Sequence, residues 1–293
     1  MEQDKTPCPR TKVIAVDGGG SRCRLALVGG DLNHRIELGA ANATSDFDGA
    51  LATCCEGLSK LATKAGMTVQ DLRPLPAYFG LAGITNTEQA ERFAKHLPLD
   101  HVRVEEDRSA AVTGALGLGD GAVIHAGTGS FVARRHNGQL RCVGGWGPKL
   151  GDEGSAHWVG REVLRVGLAL SDGLLSKSAL GQSVLDRFDG ATGAILFATG
   201  APPTDIAALA PLLLHHKADP QSQDILIRAA AYFSDTLKAV GWEDEPICPT
   251  GALAPHLGPF LPAAMRNALH PPAAEPIEGA ILLARQWARE IAT

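Results

Sequence analysis

Near the N-terminus the chain reads Val13-Ile14-Ala15-Val16-Asp17-Gly18-Gly19-Gly20-Ser21, an apolar run that stops in a turn of glycines and a hydroxyl residue. The apolar run is typical of a β-strand. Glycine lets backbone N–H groups approach an anion closely, because it has no Cβ to obstruct the turn. The stretch therefore has two interpretations, an ordinary hairpin or one side of a phosphate-binding site.

The same pattern returns in the middle of the chain as Ala122-Val123-Ile124-His125-Ala126-Gly127-Thr128-Gly129-Ser130. In both places a second β-like run follows the turn. One glycine turn alone indicates little, because such short motifs are common. The matched pair favours two turns that grip one polyphosphate from opposite sides.

Working outward from the first turn, the apolar patterns predict strands at residues 13–16, 24–28 and 35–38, which form an antiparallel meander. Helical spacing predicts helices at 48–65, 87–96 and 109–118. Short buried-type strands are expected between them, at 77–81 and 102–105.

The pattern restarts after Gly119-Asp120-Gly121, with strands at 123–126, 131–135 and 140–143. Asn137-Gly138 is a strong signal for a type I′ hairpin turn. Helices are expected at 155–171, 204–215, 224–240 and 277–291, with a short strand at 246–249. Because each half begins with the same meander, the sequence predicts a duplicated α/β domain. We expect domains at 1–117 and 118–276, the first completed by the last helix.

Composition narrows the class of protein. The chain has 293 residues, 45% hydrophobic and 20% charged, with a net charge of −5, so nothing favours nucleic acid or an anionic membrane as a partner. No apolar run reaches the ~20 residues of a membrane helix, and the polar N-terminus lacks the core of a signal peptide. None of the six cysteines forms a C-x-x-C pair, which argues against zinc-ribbon and thioredoxin-like proteins. Without a secretory signal, we expect reduced thiols and a cytoplasmic location.

The first turn matches neither standard nucleotide motif. No G-x-x-x-x-G-K-[ST] run is present, and Cys23 stands where a dinucleotide fingerprint that begins at Gly18 needs its third glycine. A carboxylate at the end of the strand, Asp17, suits a hydrated Mg²⁺ that also binds phosphate oxygens. The second turn has no carboxylate and offers amides and the hydroxyls of Thr128 and Ser130. This asymmetry suits a nucleoside triphosphate with Mg²⁺ on one side.

Three consecutive acids, Glu105, Glu106 and Asp107, end a predicted strand. A carboxylate in such a place can serve as a general base. Charge runs more often mark a solvated face, and the spacing alone does not choose among the three.

Further motifs follow in a fixed order: Gly39-Ala40-Ala41-Asn42, Gly80-Leu81-Ala82-Gly83, Glu106-Asp107 and the run Gly144-Gly145-Trp146-Gly147-Pro148-Lys149-Leu150-Gly151-Asp152-Glu153-Gly154-Ser155. Together with the two glycine turns, they resemble the BadF/BadG/BcrA/BcrD-type ATPase family. That family belongs to the actin-like ATPase superfamily of sugar kinases and includes N-acetylglucosamine kinase. The resemblance covers nearly the whole chain.

The resemblance implies an α/β fold of two ribonuclease-H-like domains, with ATP and a sugar in a cleft between them. It implies that Asp107 is the general base and that Asp17 binds Mg²⁺. The residues implied for ATP are Gly18, Gly19, Gly20, Ser21, Gly127, Thr128, Gly129 and Gly251. Those implied for the sugar are Asn42, Gly145, Trp146, Gly147 and Asp152.

Structural alternatives stay open for several of these residues. Asn42 suits a turn, Asp152 could cap the helix expected near Ser155, and Trp146 could belong to a core. The chain also departs from the family pattern at certain positions, which are Arg22, Cys23, Phe131, His215-His216-Lys217 and the turn Thr250-Gly251-Ala252.

The expected function is an ATP-dependent amino-sugar kinase that phosphorylates the 6-hydroxyl of N-acetyl-D-glucosamine, with glucosamine as the alternative substrate. A second alternative is an ATPase that activates a partner dehydratase, which needs cysteines for an iron–sulfur cluster; the only adjacent pair is Cys54-Cys55. A third is a non-catalytic sugar or nucleotide sensor. The partner expected is a small amino sugar, without nucleic acid or membrane, and the chain is expected to form a homodimer.

Overall fold

The computed structural model describes residues 11–20 and 22–293. The first ten elements are β1 (Val13–Gly18), β2 (Cys23–Gly29), β3 (Leu32–Leu38), α1 (Phe47–Lys64), α2 (Val69–Leu72), β4 (Ala77–Leu81), α3 (Thr87–Lys95), β5 (Val102–Glu106), α4 (Asp107–Leu116) and β6 (Gly121–Ala126).

The rest of the chain is richer in helix. Its elements are β7 (Ser130–His136), β8 (Gln139–Gly144), α5 (Ala156–Ser171), α6 (Ala179–Arg187), α7 (Ala191–Gly200), α8 (Pro203–Ala207), α9 (Ala210–His215), α10 (Pro220–Ala239), β9 (Ile247–Thr250), α11 (Ala254–Leu257), a 3₁₀ turn (Gly258–Phe260), α12 (Ala263–Asn267) and α13 (Pro276–Glu290).

The chain divides into two compact units. The first comprises Met1–Leu118 and Ala273–Thr293, and the second comprises Gly119–Pro272. The first unit is therefore discontinuous in sequence.

The sheet of the first unit has the strand order β3-β2-β1-β4-β5. Strands β1, β2 and β3 pair in antiparallel fashion. Strand β4 runs parallel to β1, and β5 runs parallel to β4. Alternate residues of β1 enter two cores: Ile14 and Val16 pack with α1, and Val13 and Ala15 pack with α13. Because helices cover both faces, the first four residues of β1, 13–16, are all apolar and show no polar alternation.

Helices α4 and α13 cross closely in the first unit. A Cβ on Gly279 would lie 2.0 Å from the carbonyl oxygen of Ala110. A Cβ on Gly114 would likewise lie 2.5 Å from the carbonyl oxygen of Glu275. The crossing therefore depends on glycine in both helices.

The second unit repeats the meander in a four-stranded sheet of order β8-β7-β6-β9. Beyond β9, the described chain has a single bridge between Ile247 and Leu269. Asn137 and Gly138 have φ values of 50° and 74°, which confirms the predicted type I′ turn. Helices α5 and α10 supply much of the core on this sheet. The predicted duplication of the meander is confirmed.

The short helices α2, α11 and α12 were not predicted, and three of the predicted helices differ from the structure by more than one residue. Helix α4 begins at Asp107, two residues earlier than expected, because β5 runs directly into it. The single helix expected over 204–215 is two helices, α8 and α9, which break at Ala208 and Leu209. Helix α10 starts at Pro220, a full turn before the predicted residue 224, with Asp219 as its N-cap.

Within the described residues, no helix combines the length and the apolar character needed to cross a membrane.

Candidate active site

The carboxyl ends of three parallel strands bring acidic residues together in the first unit. Asp17 of β1 is in register with Gly80 of β4, and Gly80 with Glu105 of β5. Asp107 follows as the first residue of α4. A Cβ on Gly80 would lie 3.6 Å from the Cα of Asp107, so glycine in β4 lets this helix start close to the sheet.

The pKa of Asp107 is raised to about 6. Burial is the largest cause, followed by the negative charges of Glu106 and Asp17, and the positive charge of Arg108 opposes them. A carboxyl group with a pKa near neutrality can hold and release a proton under working conditions.

The two neighbouring acids have partners of their own. The Tyr78 hydroxyl donates to Glu105 Oε2 at 3.0 Å. Arg108 Nη2 donates to Glu106 Oε2 at 2.7 Å, and Arg108 Nε lies 2.5 Å from the other oxygen. The three acids that look alike in sequence thus have different surroundings.

Asp17, the predicted magnesium ligand, forms an ion pair with Arg24. Nε and Nη2 of Arg24 lie 3.0 and 2.7 Å from the same oxygen, Oδ2. Arg24 Nη1 also donates, at 2.7 Å, to Glu275, the residue just before α13. Burial raises the pKa of Asp17, and Arg24 opposes that shift. The pair with Arg24 uses one carboxylate oxygen, and the other, Oδ1, takes no part in it.

Only part of the first glycine turn is open. The Gly19 amide donates to the Arg22 carbonyl at 2.8 Å, and the Gly19 carbonyl accepts from the Ala41 amide at 3.0 Å. A Cβ on Gly18 would lie 2.6 Å from Leu81 Cδ2, whereas one on Gly20 would meet nothing within 4 Å. Gly20 is therefore the described residue of this turn that a ligand could approach, and Ser21 lies outside the described residues.

Asn42 organises the loop beside β4. Its Oδ1 accepts from the backbone amides of Thr44 and Ser45 at 3.0 and 3.2 Å. A Cβ on Gly83 would lie 2.5 Å from that oxygen, so the turn requires glycine there. The alternative that Asn42 serves a turn is confirmed, and its Nδ2 group is the part that a sugar could meet.

In the second unit, the glycine turn is anchored to the start of α5. The Gly127 amide donates to the Gly129 carbonyl at 2.9 Å, and the Gly127 carbonyl accepts from Ala156 at 2.8 Å. The Ser130 hydroxyl donates to the Glu153 carbonyl at 2.8 Å. Within the described part of the chain, the amides of Thr128 and Gly129 donate to no protein acceptor, which suits an anion.

Asp152 joins this turn to the glycine-rich run that precedes α5. It is 5% exposed and has a φ of 64°. Its Oδ1 accepts from the Gly147 amide at 3.2 Å, and a Cβ on Gly129 would lie 2.9 Å from its Oδ2. The cap of α5 is Ser155, whose hydroxyl accepts from the Trp158 amide, so the idea that Asp152 caps this helix was wrong.

Trp146 is not a core residue, because 73% of it is exposed. Gly145 and Gly147 on either side have φ values of 75° and 84°. The two glycines turn the chain so that the indole points outward, which leaves it available to a ligand.

The turn after β9 packs against the second glycine turn. Gly251 has a φ of 79°, and a Cβ there would lie 2.4 Å from the Ala126 carbonyl oxygen. His125 Nδ1 lies 3.0 Å from the Thr250 hydroxyl oxygen. Sequence reasoning missed His125, although it is the only polar residue in the otherwise apolar run 122–126.

Two departures from the family pattern have structural partners. Phe131 is 7% exposed and stacks on His125, with ring centroids 4.9 Å apart. His216 Nε2 lies 2.7 Å from the Ser183 hydroxyl of α6. Both residues take part in packing within the second unit.

The residues present fit a nucleoside triphosphate with Mg²⁺. In the first unit, the open Cα of Gly20 lets a phosphate oxygen approach the backbone. In the second unit, taken by itself, the amides of Thr128 and Gly129 suit phosphate oxygens. The described residues contain no group of three or more His, Cys, Asp or Glu that could hold a metal ion. A magnesium ion here would therefore combine Asp17 with phosphate oxygens and water, as this ion commonly does.

Known proteins resemble this chain over most of its length. The glucosamine kinase of Vibrio cholerae is 26% identical over 278 residues, which cover 92% of this chain and 95% of that protein. The N-acetylmuramic acid/N-acetylglucosamine kinase of Clostridium acetobutylicum is 27% identical over 246 residues, 78% of each chain.

A crystal structure from Chromobacterium violaceum, provisionally named an N-acetylglucosamine kinase, superposes with a TM-score of 0.83. It is 28% identical, and the match covers 95% of this chain and all of that one. The predicted fold class is confirmed by this likeness and by the two sheets.

The model of the BadF/BadG/BcrA/BcrD ATPase family matches residues 14–284. The match spans both glycine turns, the acids after β5 and the run before α5. The chain belongs to the BadF/BadG/BcrA/BcrD ATPase family.

Proposed function

We propose that this protein is an ATP-dependent amino-sugar kinase that phosphorylates the 6-hydroxyl of N-acetyl-D-glucosamine. The observation that carries the proposal is Asp107, a carboxyl group with a pKa of about 6 at the carboxyl ends of the parallel strands β1, β4 and β5, beside Asp17. The two kinases that resemble this chain are named for amino sugars, which supports an amino sugar as the substrate class.

Asp107 is the group assigned to the chemistry. A sugar hydroxyl is a weak nucleophile, and a carboxylate within hydrogen-bond reach accepts its proton as the oxygen attacks. Such general-base assistance contributes roughly 10²–10⁴-fold in rate. Glu105 and Glu106 are less suited to this role, because Tyr78 already binds one oxygen of Glu105 and Arg108 binds both oxygens of Glu106.

MgATP, when bound, supplies the transferable phosphoryl group and neutralises its charge. For the metal we assign Asp17 through the oxygen that Arg24 leaves uncovered. The residues assigned to the nucleotide are Gly18, Gly19, Gly20, Ser21, Gly127, Thr128, Gly129 and Gly251. In the first turn, Gly18 and Gly19 shape the backbone, and Gly20 gives access.

The sugar is assigned to Asn42, Gly145, Trp146, Gly147 and Asp152. The Asn42 Nδ2 group can donate to a hydroxyl, and the exposed indole of Trp146 offers an apolar face for a sugar ring. Asp152 is assigned as an acceptor for a sugar hydroxyl, and its Oδ1 also accepts from the Gly147 amide, next to Trp146.

The test is an ADP-release assay with MgATP across glucosamine, N-acetylglucosamine, N-acetylmuramic acid, N-acetylmannosamine and glucose. We expect the highest kcat/KM with N-acetylglucosamine, and NMR should show phosphate on its 6-oxygen. The Asp107→Asn variant should lose roughly 10²–10⁴-fold in kcat. If that variant keeps most of its turnover, the assignment of the base is wrong.

Glucosamine is the second candidate substrate, because the Vibrio cholerae relative that matches 92% of this chain is a glucosamine kinase. A kcat/KM for glucosamine at least tenfold above that for N-acetylglucosamine would replace the first proposal with this one. ATP hydrolysis that no sugar stimulates would contradict both. In that case, iron and acid-labile sulfide in anaerobically purified protein would indicate an activator of a partner enzyme.

A further inference from the structure

His125 forms part of a row of three side chains that crosses the sheet of the second unit. In the strand register, His125 pairs with Phe131 on one side and with Thr250 on the other. The contact with Phe131 is a stack, with ring planes 17° apart. The contact with Thr250 is polar, with 3.0 Å between Nδ1 and Oγ1. Both neighbours therefore fix the plane of the imidazole ring.

The ring lies between two backbone turns. A Cβ on Gly127 would lie 2.9 Å from His125 Nε2, so the second glycine turn passes directly over the imidazole. On the other side, the Thr250 hydroxyl leads into Gly251, where the backbone needs a positive φ. The imidazole contacts both turns that we assign to the nucleotide.

The two turns also contact each other directly. A Cβ on Gly251 would lie 2.7 Å from the Gly127 amide nitrogen. The Leu253 amide donates to the Ala126 carbonyl at 3.0 Å. A small displacement of Thr250 would therefore move the backbone at Gly127.

The imidazole is neutral at ordinary pH. Burial lowers the pKa of His125 to about 4. A neutral ring supplies one donor and one acceptor, which suits a hydroxyl partner and avoids a buried charge. His125 therefore adds no positive charge for a phosphate, and its contribution is geometric.

We propose that His125 is a positioning residue for the nucleotide, which holds the Thr250–Gly251 turn against the Gly127–Gly129 turn through the Thr250 hydroxyl. This inference rests on the proposed function only in that it assigns both turns to ATP. His125 takes no part in phosphoryl transfer. Its loss weakens nucleotide binding and leaves the rate of the chemical step unchanged.

The test compares variants that remove or keep the polar contact. His125→Phe keeps an aromatic ring against Phe131 but removes Nδ1, and Thr250→Val removes the hydroxyl from the other side. His125→Asn keeps a polar atom near the place of Nδ1, and Thr250→Ser keeps the hydroxyl. His270→Phe is the control, since that histidine is exposed in the same unit. Calorimetry measures the Kd for MgADP without sugar, and thermal melting measures folding.

We expect His125→Phe and Thr250→Val each to raise the Kd for MgADP about tenfold, the effect of one hydrogen bond on binding geometry. His125→Asn and Thr250→Ser should stay within about threefold of the wild type. The double variant His125→Phe/Thr250→Val should bind MgADP no more weakly than the single variant with the higher Kd, because both substitutions remove the same contact. In turnover, KM for ATP should rise by the same factor while kcat and KM for the sugar stay within about twofold.

A purely structural histidine would give a different result. If the melting temperature falls but the Kd of both His125→Phe and Thr250→Val matches the wild type, the inference is overturned. If His125→Phe fails to fold, Thr250→Val tests the same contact alone and decides the question by its Kd.

Failure of the inference and failure of the proposed function are separable. If no sugar stimulates ADP release and the variants still bind MgADP more weakly, the kinase proposal fails and the inference stands. If N-acetylglucosamine is phosphorylated and the variants bind normally, the reverse holds. A wild-type protein that binds no MgADP would overturn both.

Discussion

At the residue scale, the surroundings of a side chain decide its chemistry more than its type does. Glu105, Glu106 and Asp107 are consecutive carboxylic acids, yet one accepts from a tyrosine, one pairs with an arginine, and Asp107 has its pKa raised to about 6. Burial and two nearby negative charges disfavour its ionised form. The group that we assign as base is thus a carboxyl group whose pKa lies well above that of an ordinary aspartate.

This shift predicts the pH dependence of turnover. A general base must be deprotonated to act, so kcat/KM for the sugar should fall about tenfold per pH unit below a pKa of about 6 and be level above it. An ordinary aspartate would place this limb near pH 4. The residual rate of Asp107→Asn, measured in the same buffers, should lack the limb. A wild-type profile that stays flat down to pH 5 would contradict the assignment.

Arg24 predicts a stability effect. Asp17 and Arg24 have side chains only 12% and 17% exposed, so Arg24→Met leaves the Asp17 carboxylate buried without its main partner. We expect the free energy of unfolding to fall by about 2 kcal/mol in urea titrations.

Arg35→Met is the matched control for Arg24→Met. Arg35 pairs with Glu278 of α13, and these two side chains are 43% and 38% exposed. Arg35→Met should lower the free energy of unfolding by less than about 1 kcal/mol. Equal losses in the two variants would contradict a special role for the pair at Asp17.

At the element scale, one buried carboxylate starts two helices of the second unit. Asp219 Oδ1 accepts from the Gln221 amide of α10 at 2.8 Å. Its Oδ2 accepts from the Ser178 hydroxyl at 2.9 Å and the Leu180 amide at 3.1 Å, at the start of α6. Burial alone would raise the pKa of Asp219, but these hydrogen bonds outweigh it and lower the pKa.

Asp219→Ala should therefore destabilise both helix starts together. We expect a loss of about 2 kcal/mol in the free energy of unfolding at pH 7, because several amide and hydroxyl donors lose one acceptor. Since the folded pKa is lowered, this stability is present above the ordinary carboxyl pKa of about 4 and is lost as pH falls below it. The exposed Asp224→Ala, which removes only an i,i+4 pair with Arg228, should cost under about 0.5 kcal/mol.

At the scale of the whole molecule, the chain returns to its first unit through α13. The helix packs on β1 and α4 and buries Ile277, Ala280 and Ile281. Glu275, just before it, also meets Arg24. The first unit is therefore complete only after α13 has been made.

Gly279→Ala should disrupt this return. The added Cβ would lie 2.3 Å from the Gly114 amide nitrogen and 2.0 Å from the Ala110 carbonyl oxygen, so α13 must move away from α4. We expect a loss of about 2–3 kcal/mol in the free energy of unfolding. Hydrogen exchange should rise in α4, α13 and β1.

Gly200→Ala is the control for Gly279→Ala, since an added Cβ there meets nothing within 4 Å. It should be neutral or slightly stabilising, because alanine restricts the unfolded chain more than glycine does. A Gly279→Ala protein as stable as Gly200→Ala would show that the crossing has room to adjust.

Local pattern was enough for the meanders, the I′ turn at Asn137-Gly138 and most of α1, because these depend on neighbours close in sequence. It failed over 204–215, where apolar spacing continues through Ala208 and Leu209. There α5 intervenes: a Cβ on Gly160 would lie 1.9 Å from the Ile206 carbonyl oxygen, so α8 ends against another helix. A contact between distant segments leaves no trace in local periodicity.

By itself, the sequence determined the repeated strand–turn–strand pattern, the order of the glycine motifs and hence the family, since all of these are written along the chain. Only the tertiary structure decided how the candidate residues differ. It separated Asp107 from its neighbours, joined Asp17 to Arg24, and brought His125 against Thr250, which lies 125 residues later in the chain. The physical reason is that pKa values and hydrogen bonds depend on distance in space, which a register between strands creates and the sequence does not spell out.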